Sequence, residues 1–468
     1  MDDQRKTVIA RVIERHSSRR DALTAIISGG SAASLAVLGI SESDAKKGRK
    51  KKKCKAPKRK CGKKCVSLVS SKHCGSCSTS CTQGESCLEG VCCAGGSVNC
   101  RGNCRVDCPS PVANRPFPQR LTYGASKPNL WTQDELDSHV RAAYASWKSR
   151  YLVEAGRDGN GNRLCRVAFG KPGTDGHKVT VSEGQGYGMV IVATMAGHDP
   201  EAQEVFDGLW RFSRAHPSVV DSRLMDWKVP GKDGNDSAFD GDCDMAYGLL
   251  LATAQFGSGG SIDYGAELDR TLAGILASTI GPASRLPMLG DWVDANGARY
   301  NQDTPRTSDF MPGHFRAFGR ATGDGVWESV IAACQDVVTT LQTNFSPTTG
   351  LLPDFVQEGP RPALPTFLEG PHDDSYHYNA GRDLWRLGTD ALLNANATSA
   401  AQAGQISQWA KAVTNGNPAS FRSGYALNGT QLPNSNYFTT FFVTPLGVAA
   451  MTDAGSQSWV NVFYRSGV

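Results

Sequence analysis

Two short segments combine carboxylates with small residues in a pattern that could do acid–base chemistry. The first, SEGQGYGM, spans residues 182–189, and the second, DGDCD, spans residues 240–244. Each opens an apolar stretch with helical spacing, so each predicts carboxylates at the N-terminus of a helix. If the two helix ends face one another, they form a cleft with opposed carboxylates. Opposed carboxylates are the groups that cleave a glycosidic bond.

Glu183 is the first candidate for a catalytic acid. Ser182 can cap the predicted helix, which leaves Glu183 in its first turn. Gly184, Gly186 and Gly188 remove side chains from the start of the helix, although each costs roughly 0.5–1 kcal/mol there relative to alanine. Close approach of a flat ligand would explain this cost. The alternative is tight packing against another helix, with Glu183 only complementing the helix dipole.

The second segment places Asp240, Asp242 and Asp244 within five residues, directly before apolar residues at helical spacing. Like charges this close repel one another and tend to raise their pKa values. A helix cap explains one aspartate but not three. A calcium loop is disfavoured, because the glycine and the terminal glutamate of an EF-hand are missing.

These segments resemble the two most characteristic motifs of glycoside hydrolase family 8. The stretch AFDGDCDMAYGLLLATAQF (238–256) fits the second motif, except that Phe239 stands where the family usually has Ser or Thr. TSDFMPGHFRAF (307–318) and YHYNAGRDLWRLGTDALL (376–393) resemble later family segments in the same order. The resemblance covers about residues 120–460. It implies an (α/α)6 barrel with a cleft across one end, and endo-acting hydrolysis of a β-1,4-linked polysaccharide with inversion.

The resemblance also implies roles for individual residues. Glu183 matches the general acid, and Asp240 matches the residue that grips the sugar at the cleavage point, with Asp242 in support. Asn379 stands where one branch of the family has an aspartate base, and asparagine cannot take a proton from water at neutral pH. Another branch has asparagine here and a glutamate base in a preceding loop. Glu369 is the candidate that matches this second pattern.

Other carboxylates in and just after this loop remain candidates for the base: Asp354, Glu358, Asp373 and Asp374. A surface loop without a catalytic role is the alternative interpretation. Side chains near the motifs that could contact a sugar, by stacking or by hydrogen bonding, are Trp227, Tyr378, Arg382 and Trp385. No phosphate-binding glycine loop, nucleotide fingerprint or metal-ligand spacing occurs near the motifs, so we expect no cofactor and no metal.

The net charge of +5 is unevenly distributed over the 468 residues. Segment 46–64 holds 13 Lys/Arg and no Asp/Glu, which leaves 37 basic residues against 45 acidic ones elsewhere, a net charge of −8. Nucleic-acid binding usually spreads basic residues over a folded face, so we expect no nucleic-acid partner. The basic segment is either a solvated linker or an electrostatic attachment to an anionic cell wall or membrane surface.

Twelve of the 15 cysteines lie between Cys54 and Cys108. An even number of cysteines in a short segment that is poor in large apolar residues predicts a disulfide framework, formed in an oxidising compartment. Zinc is the alternative, because Cys74 and Cys77 have C-x-x-C spacing beside His73. Zinc sites normally have paired knuckles, and only one clear C-x-x-C is present, so disulfides are preferred.

The N-terminus has the features of an export signal. A twin-arginine pattern, SRRDAL (18–23), precedes a weakly apolar stretch rich in Gly, Ala and Ser. A cytosolic amphipathic helix is the alternative. With the cysteines, the pattern predicts a secreted or cell-surface protein. Composition divides the chain into a signal peptide (1–45), a lysine-rich linker (46–64), a Cys-rich module (65–108), a proline-rich linker (109–117) and a large domain (118–468).

The large domain has the periodicity of an all-α fold. A helix is predicted to start at Asp199, and others cover 132–152, 182–197, 240–256, 263–280, 309–321, 326–343, 379–395, 400–413 and 438–452. We therefore expect an all-α (α/α)6 barrel, monomeric, preceded by the small disulfide-rich module.

The sequence leaves the substrate open. β-Glucan is slightly favoured over chitosan as the substrate. The negative net charge of the chain outside residues 46–64 would, however, attract chitosan, which is a polycation. Asn379 motivates a third hypothesis, a non-catalytic glycan-binding protein of the cell wall that has lost its base.

Overall fold

The computed structural model describes residues 126–231 and 235–467, Phe117, and short runs at 58–61, 64–67, 69–74, 76–88, 91–95, 98–100 and 103–105. These residues fall into two compact units. The predicted signal peptide of residues 1–45 lies outside the described residues. So does most of the two predicted linkers.

The Cys-rich unit is built from four small antiparallel hairpins. The paired strands are β1 (Lys58–Cys61) with β2 (Lys64–Ser67), β3 (Val69–Ser70) with β4 (His73–Cys74), β5 (Glu85–Leu88) with β6 (Val91–Ala94), and β7 (Val98–Cys100) with β8 (Asn103–Arg105). Strands this short bury little apolar surface, so covalent links are needed to hold them.

Disulfide bonds link these hairpins. The described bonds are Cys61–Cys77, Cys74–Cys87 and Cys81–Cys92. The predicted disulfide framework is therefore confirmed, and the zinc interpretation of the C-x-x-C pair is wrong, since both of its cysteines are bonded to other cysteines. The bond from Cys61 also extends the module into the segment that the sequence assigned to the lysine-rich linker.

The second unit contains eleven α-helices within the described residues, which confirms the predicted all-α class. They are α1 (Gln133–Tyr151), α2 (Ser182–Thr194), α3 (Ala202–Ala215), α4 (Phe239–Phe256), α5 (Tyr264–Ser278), α6 (Pro312–Thr322), α7 (Val326–Asn344), α8 (Asp383–Asn394), α9 (Ala397–Val413), α10 (Thr440–Ala450) and α11 (Gln457–Gly467). The described strands in this unit are short: β9 (Leu152–Arg157), β10 (Arg163–Val167), β11 (Thr180–Val181), β12 (Lys228–Val229), β13 (Val356–Gln357) and β14 (Arg361–Pro362).

Local sequence signals explain several helix starts. Thr132 and Glu135 form a reciprocal capping box at the start of α1, which satisfies two backbone donors there. Asp263 caps α5 and Asn396 caps α9 with a single bond each, in which the side-chain oxygen accepts a backbone N–H of the first turn. Helix α3 begins at Ala202, three residues after the predicted start at Asp199. Asp199 lies before the helix, where its carboxylate accepts hydrogen bonds from Tyr144 and Lys148.

Helices α2 and α4 pack closely at the centre of the fold. A Cβ added at Gly186 would lie 2.7 Å from the Cβ of Asp244 and 2.7 Å from the carbonyl oxygen of Gly241. A Cβ at Gly248 would lie 2.8 Å from the Cβ of Met189. The glycine at 186 therefore serves helix packing, which was one of the two sequence interpretations.

No helix in the described part of the chain is both long enough and apolar enough to cross a membrane. The aromatic core of the helical unit includes fully buried Trp147, Trp327 and Trp459. This large apolar core supports the polar residues that reach the cleft described below.

Gly186→Ala should destabilise the protein by about 1–3 kcal/mol, because the added methyl group meets backbone atoms that cannot move aside. Chemical denaturation monitored by circular dichroism measures this loss. Gly404→Ala is the matched control: Gly404 lies inside α9 with no atom within 4 Å of an added Cβ. That control should gain about 0.5–1 kcal/mol. Equal effects of the two substitutions would contradict the packing role.

Candidate active site

A cleft with an empty volume of about 380 Å³ lies at the N-terminal ends of α2, α4 and α8. Its walls come from segments that are far apart in the chain. The lining residues are Phe169, Val181, Ser182, Glu183, Trp227, Ala238, Asp240, Arg306, Glu369, Asn379 and Arg382. The structure thus brings the four predicted catalytic residues, and two of the predicted substrate contacts, to one place.

Glu183 is the second residue of α2, and its carboxylate lines the cleft. The hydroxyl of Tyr187, one helical turn further along, donates a hydrogen bond of 2.8 Å to Oε1 of Glu183. The guanidinium of Arg382 pairs with the same oxygen. The side chain of Glu183 is 18% exposed, so a ligand in the cleft can still reach it.

The start of α2 differs from the prediction in one detail. Ser182 is the first helical residue and not the cap, because Val181 occupies the cap position without a side-chain bond. The backbone N–H of Ser182 instead donates to the carbonyl oxygen of Trp227 at 2.9 Å. This bond, with the pairing of β11 and β12, holds Trp227 beside the start of α2.

Two buried arginines fix Asp240, the second residue of α4. Oδ2 of Asp240 accepts from Nη1 of Arg382 at 3.0 Å and from Nη1 of Arg306 at 3.3 Å. Oδ1 accepts from the backbone N–H of Gly241 at 2.9 Å. Since Arg382 also pairs with Glu183, one guanidinium joins the two carboxylates predicted from the two sequence motifs.

Asn379 and Glu369 form a second pair in the cleft. Nδ2 of Asn379 donates to Oε2 of Glu369 at 3.1 Å. Oδ1 of Asn379 accepts from Nη2 of Arg382 at 2.9 Å and from Nη1 of Arg306 at 3.4 Å. The amide is thereby oriented: its oxygen faces the arginines and its nitrogen faces the carboxylate.

The other candidates for the base do not line this cleft. Asp354 and Asp373 are each 3% exposed and accept bonds from backbone N–H groups. Glu358 is exposed, in the turn between β13 and β14. Asp374 accepts a bond from the neighbouring Ser375.

The three aspartates of α4 point in different directions, as helical spacing requires. Asp242 is 1% exposed and accepts from the backbone N–H of Met225 at 2.9 Å, and burial raises its pKa well above the usual range. Asp244 pairs with both Nη atoms of Arg386 and accepts from His314 at 2.8 Å. Of the three, only Asp240 lines the cleft; Asp242 lies behind it.

The predicted aromatic contacts separate into two groups. Trp227 lines the cleft and is partly exposed. Tyr378 is buried, stacks on Phe441 and bonds the hydroxyl of Tyr437 at 2.9 Å. Trp385 meets the edge of the Tyr187 ring and covers the guanidinium of Arg386. These two rings support the site from behind and do not line it.

Arg306 and Asp309 are parts of the site that the sequence did not single out. Nε of Arg306 lies 3.3 Å from Oδ2 of Asp309. Burial raises the pKa of Asp309 to about 7. Burial disfavours the charged form of Arg306, but Asp309 and Asp240 raise its pKa above the ordinary value. The sequence signal that could have pointed to them is the family-like segment 307–318. Asp309 lies within that segment, and Arg306 directly precedes the segment.

Comparison with known protein families identifies the family to which the chain belongs. The family described as Glycosyl hydrolases family 8 matches residues 132–461, which include every residue that lines the cleft. The chain belongs to glycoside hydrolase family 8. It is therefore a glycosidase, and the cleft at the helix ends is the candidate site of hydrolysis.

Two relatives and one solved structure are similar to this family 8 hydrolase over most of their length. A β-glucanase of Niallia circulans is 41% identical over 74% of this chain and 84% of its own. An endoglucanase of Bacillus sp. strain KSM-330 is 39% identical over 74% of this chain and 75% of its own. The apo β-1,3-1,4-glucanase of Paenibacillus sp. X4 superposes with a TM-score of 0.69 at 40% identity, covering 76% of this chain and 92% of that one.

A more distant structure shares the fold alone. Rex8A of Paenibacillus barcinonensis aligns with a TM-score of 0.55 at 17% identity. The predicted (α/α)6 barrel is thus confirmed by the helical structure and by the family match.

A cluster of three aspartates lies beside the cleft of the hydrolase: Asp226 and Asp291 are buried, and Asp236 is partly exposed. The backbone carbonyl of Asp236 accepts from the N–H of Trp227 at 2.8 Å. Burial, together with the charges of Asp291 and Asp226, raises the pKa of Asp236 to about 7. Asp291 itself accepts from Ser218, from the backbone of Asp221 at 3.0 Å and from Ser237. Protonation of Asp236 therefore favours the folded state.

Asp236→Asn should change how stability depends on pH. The pKa of Asp236 is higher in the folded state than in the unfolded chain, so its contribution to stability is present below about pH 4 and lost as the pH rises through 7. Asparagine does not titrate, so the variant should gain up to about 4 kcal/mol on the wild type between pH 4 and pH 8, since each pKa unit corresponds to about 1.4 kcal/mol. Denaturant titrations across this range measure the difference.

Asp294→Asn, at an exposed aspartate on the neighbouring loop, controls for the substitution itself. A free-energy difference for Asp236→Asn that does not change with pH would contradict the predicted effect.

Proposed function

We propose that this chain is a secreted endo-β-glucanase that hydrolyses β-1,4 linkages with inversion, with Glu183 as general acid and Glu369 as general base. The observation that carries the proposal is that Glu183, Asp240 and Glu369 line one cleft from three separate elements. Inverting hydrolysis needs an acid, a base and space between them for a water molecule.

Glu183 supplies the proton for the leaving glycosidic oxygen in this mechanism. It lies at the start of a helix that packs against the helix carrying Asp240. Asp240 is held by two guanidinium groups, so its free orientations are few. A carboxylate fixed in this way can bind sugar hydroxyls at the cleavage point without further reorganisation.

Glu369 takes the proton of the attacking water. The carboxylate of Glu369 accepts a hydrogen bond from Nδ2 of Asn379, so its orientation in the cleft is held by that amide. Asn379 thus orients the base and does not replace it. For inversion, the carboxyl groups of Glu183 and Glu369 should be roughly 6.5–9.5 Å apart in the working enzyme.

β-Glucan is the preferred substrate class in this proposal. Two relatives that are about 40% identical carry the names β-glucanase and endoglucanase, and a solved structure of similar identity is a β-1,3-1,4-glucanase. Chitosan, the alternative from the sequence, remains the second candidate substrate. The non-catalytic alternative was based on Asn379, which has no carboxylate to act as a base. In this proposal the neighbouring Glu369 provides that carboxylate.

Export belongs to the same proposal. The twin-arginine pattern of residues 18–23 and the disulfide-bonded module favour an oxidising, extracytoplasmic location. Recovery of the protein from culture medium tests this part. The basic segment 46–64 would then be available for attachment to an anionic cell surface.

Glu183→Gln and Glu369→Gln should each lower kcat on β-glucan by at least 10³-fold, because each removes a proton-transferring group that nothing else in the cleft replaces. Reducing-sugar release by the full chain measures this. Glu358→Gln is the matched control, an exposed glutamate of the same loop region, and should keep full activity. Retention of activity by Glu369→Gln would move the base to another carboxylate.

The product of β-glucan hydrolysis should carry the α-anomer at its new reducing end, since water attacks from the face opposite the leaving oxygen. Proton NMR during the first minutes of reaction, before mutarotation, shows the anomer. Parallel assays on mixed-linkage β-glucan, carboxymethylcellulose, chitosan and xylan rank the substrates. A β-anomer would exclude inversion, and turnover of chitosan alone would exclude the glucanase assignment.

A further inference from the structure

Two buried aspartates outside the cleft each bind the backbone of a segment that carries a proposed catalytic group. Asp373 accepts three backbone N–H groups: those of Leu368 at 2.7 Å, Glu369 at 2.9 Å and Gly370 at 2.9 Å. These three residues are the proposed base and its two neighbours in the chain. The carboxylate of Asp373 therefore fixes the main chain at the position from which the Glu369 side chain leaves.

Asp354 makes the equivalent arrangement around Asn379. Its Oδ1 accepts the backbone N–H groups of His377 at 3.1 Å, Asn379 at 3.0 Å and Ala380 at 2.7 Å. Its Oδ2 lies 3.4 Å from Nδ2 of Asn379, the same nitrogen that donates to Glu369. Asp354 thus orients both the main chain and the amide of Asn379.

The segments that carry the two aspartates are joined to one another. The N–H of Asp354 donates to the carbonyl of Ser375 at 2.9 Å, and the N–H of Phe355 donates to the carbonyl of Asp373 at 3.0 Å. Arg299 and Tyr300 bind the carbonyl of Phe367 from a third segment. The loop of Glu369 is consequently tied down on both sides.

This arrangement costs folding free energy. Both aspartates are 3% exposed. Within the described residues neither forms an ion pair with an arginine or lysine, although Nδ1 of His377 lies 3.9 Å from Oδ2 of Asp354. Burial raises the pKa of Asp373 to about 6 and that of Asp354 well above its usual range. Burying a carboxylate without a cationic partner is unfavourable, and such departures from local stability are expected where a site needs fixed geometry.

We propose that Asp354 and Asp373 are positioning residues that together hold the Asn379 amide and the Glu369 carboxylate in the geometry needed to direct the attacking water. The inference rests on the proposed function, which assigns the base to Glu369. Neither aspartate lines the cleft, so both act through Asn379 and Glu369.

The charges around Glu369 give the proposal a pH signature. The groups that interact electrostatically with Glu369 include Arg306, which is cationic, and Asp354 and Asp373, which are acidic. Asp373→Asn keeps the shape of the side chain but removes a carboxyl group whose negative charge, present above about pH 6, repels the Glu369 carboxylate. The acid limb of kcat against pH should therefore move to lower pH in this variant.

The decisive experiment is a double-mutant cycle in the full chain. Asp373→Ala should lower kcat on β-glucan by about 10²-fold, the cost of a small displacement of a catalytic group, with KM changed less than 3-fold. Asp373→Asn should recover part of this loss. In a Glu369→Gln background, Asp373→Ala should lower the residual rate less than 3-fold, because the group it positions is already gone. Thermal unfolding confirms that each variant is folded.

Asp158→Asn is the matched control. Asp158 also accepts two backbone N–H groups, those of Asn160 and Asn162, in the turn between β9 and β10. It should leave kcat and its pH profile unchanged. If the Asp373→Ala variant does not fold, Asp373→Asn replaces it in the double-mutant cycle with Glu369→Gln, and the pH profile is measured on Asp373→Asn.

Two results would overturn the inference while the proposed function stands. One is an inactive Glu369→Gln variant beside an Asp373→Ala variant with wild-type kcat. The other is an Asp373→Ala effect that is equally large in the Glu369→Gln background, which would indicate general disruption of the cleft. Full activity of Glu369→Gln itself would remove the proposed base and the inference with it.

Discussion

The site depends on one buried guanidinium, that of Arg382. It pairs with Glu183 and Asp240 and donates to the amide oxygen of Asn379, so three of the proposed reacting or binding groups share one cation. A buried arginine is stable only when its donors are occupied, and a buried carboxylate only when its charge is compensated. The requirement is mutual, so the positions of Glu183, Asp240 and Asn379 are set together.

Further charged residues of α8 also form ion pairs with neighbouring helices. Arg386 and Asp390 follow Arg382 at intervals of four residues, and thus lie on the same face of the helix. Arg386 pairs with Asp244 of α4, and Asp390 pairs with Arg316 of α6. Ion pairs therefore join the start of α8 to α2 and α4, and α8 itself to α4 and α6. Glycine at 186 allows α2 to lie close to α4.

The loop that carries Glu369 follows a different design. It has little regular structure, and its position comes from side-chain carboxylates that bind backbone N–H groups and from an apolar cluster that includes Tyr300, Phe355 and Phe367. The proposed general acid, Glu183, is fixed by secondary structure, and the proposed base, Glu369, is fixed by tertiary hydrogen bonds.

The sequence by itself determined the elements that repeat a local pattern. Helical periodicity located most of the helices, cysteine number and spacing predicted the disulfides, and the two motifs brought Glu183 and Asp240 forward, since all of these signals lie within a few residues of one another. Only the tertiary structure separated Glu369 from Asp354 and Asp373, and placed Asp242, Tyr378 and Trp385 behind the cleft. It also added Arg306 to the site. Those assignments depend on which side chains from distant segments meet, and spacing along the chain carries no information about that.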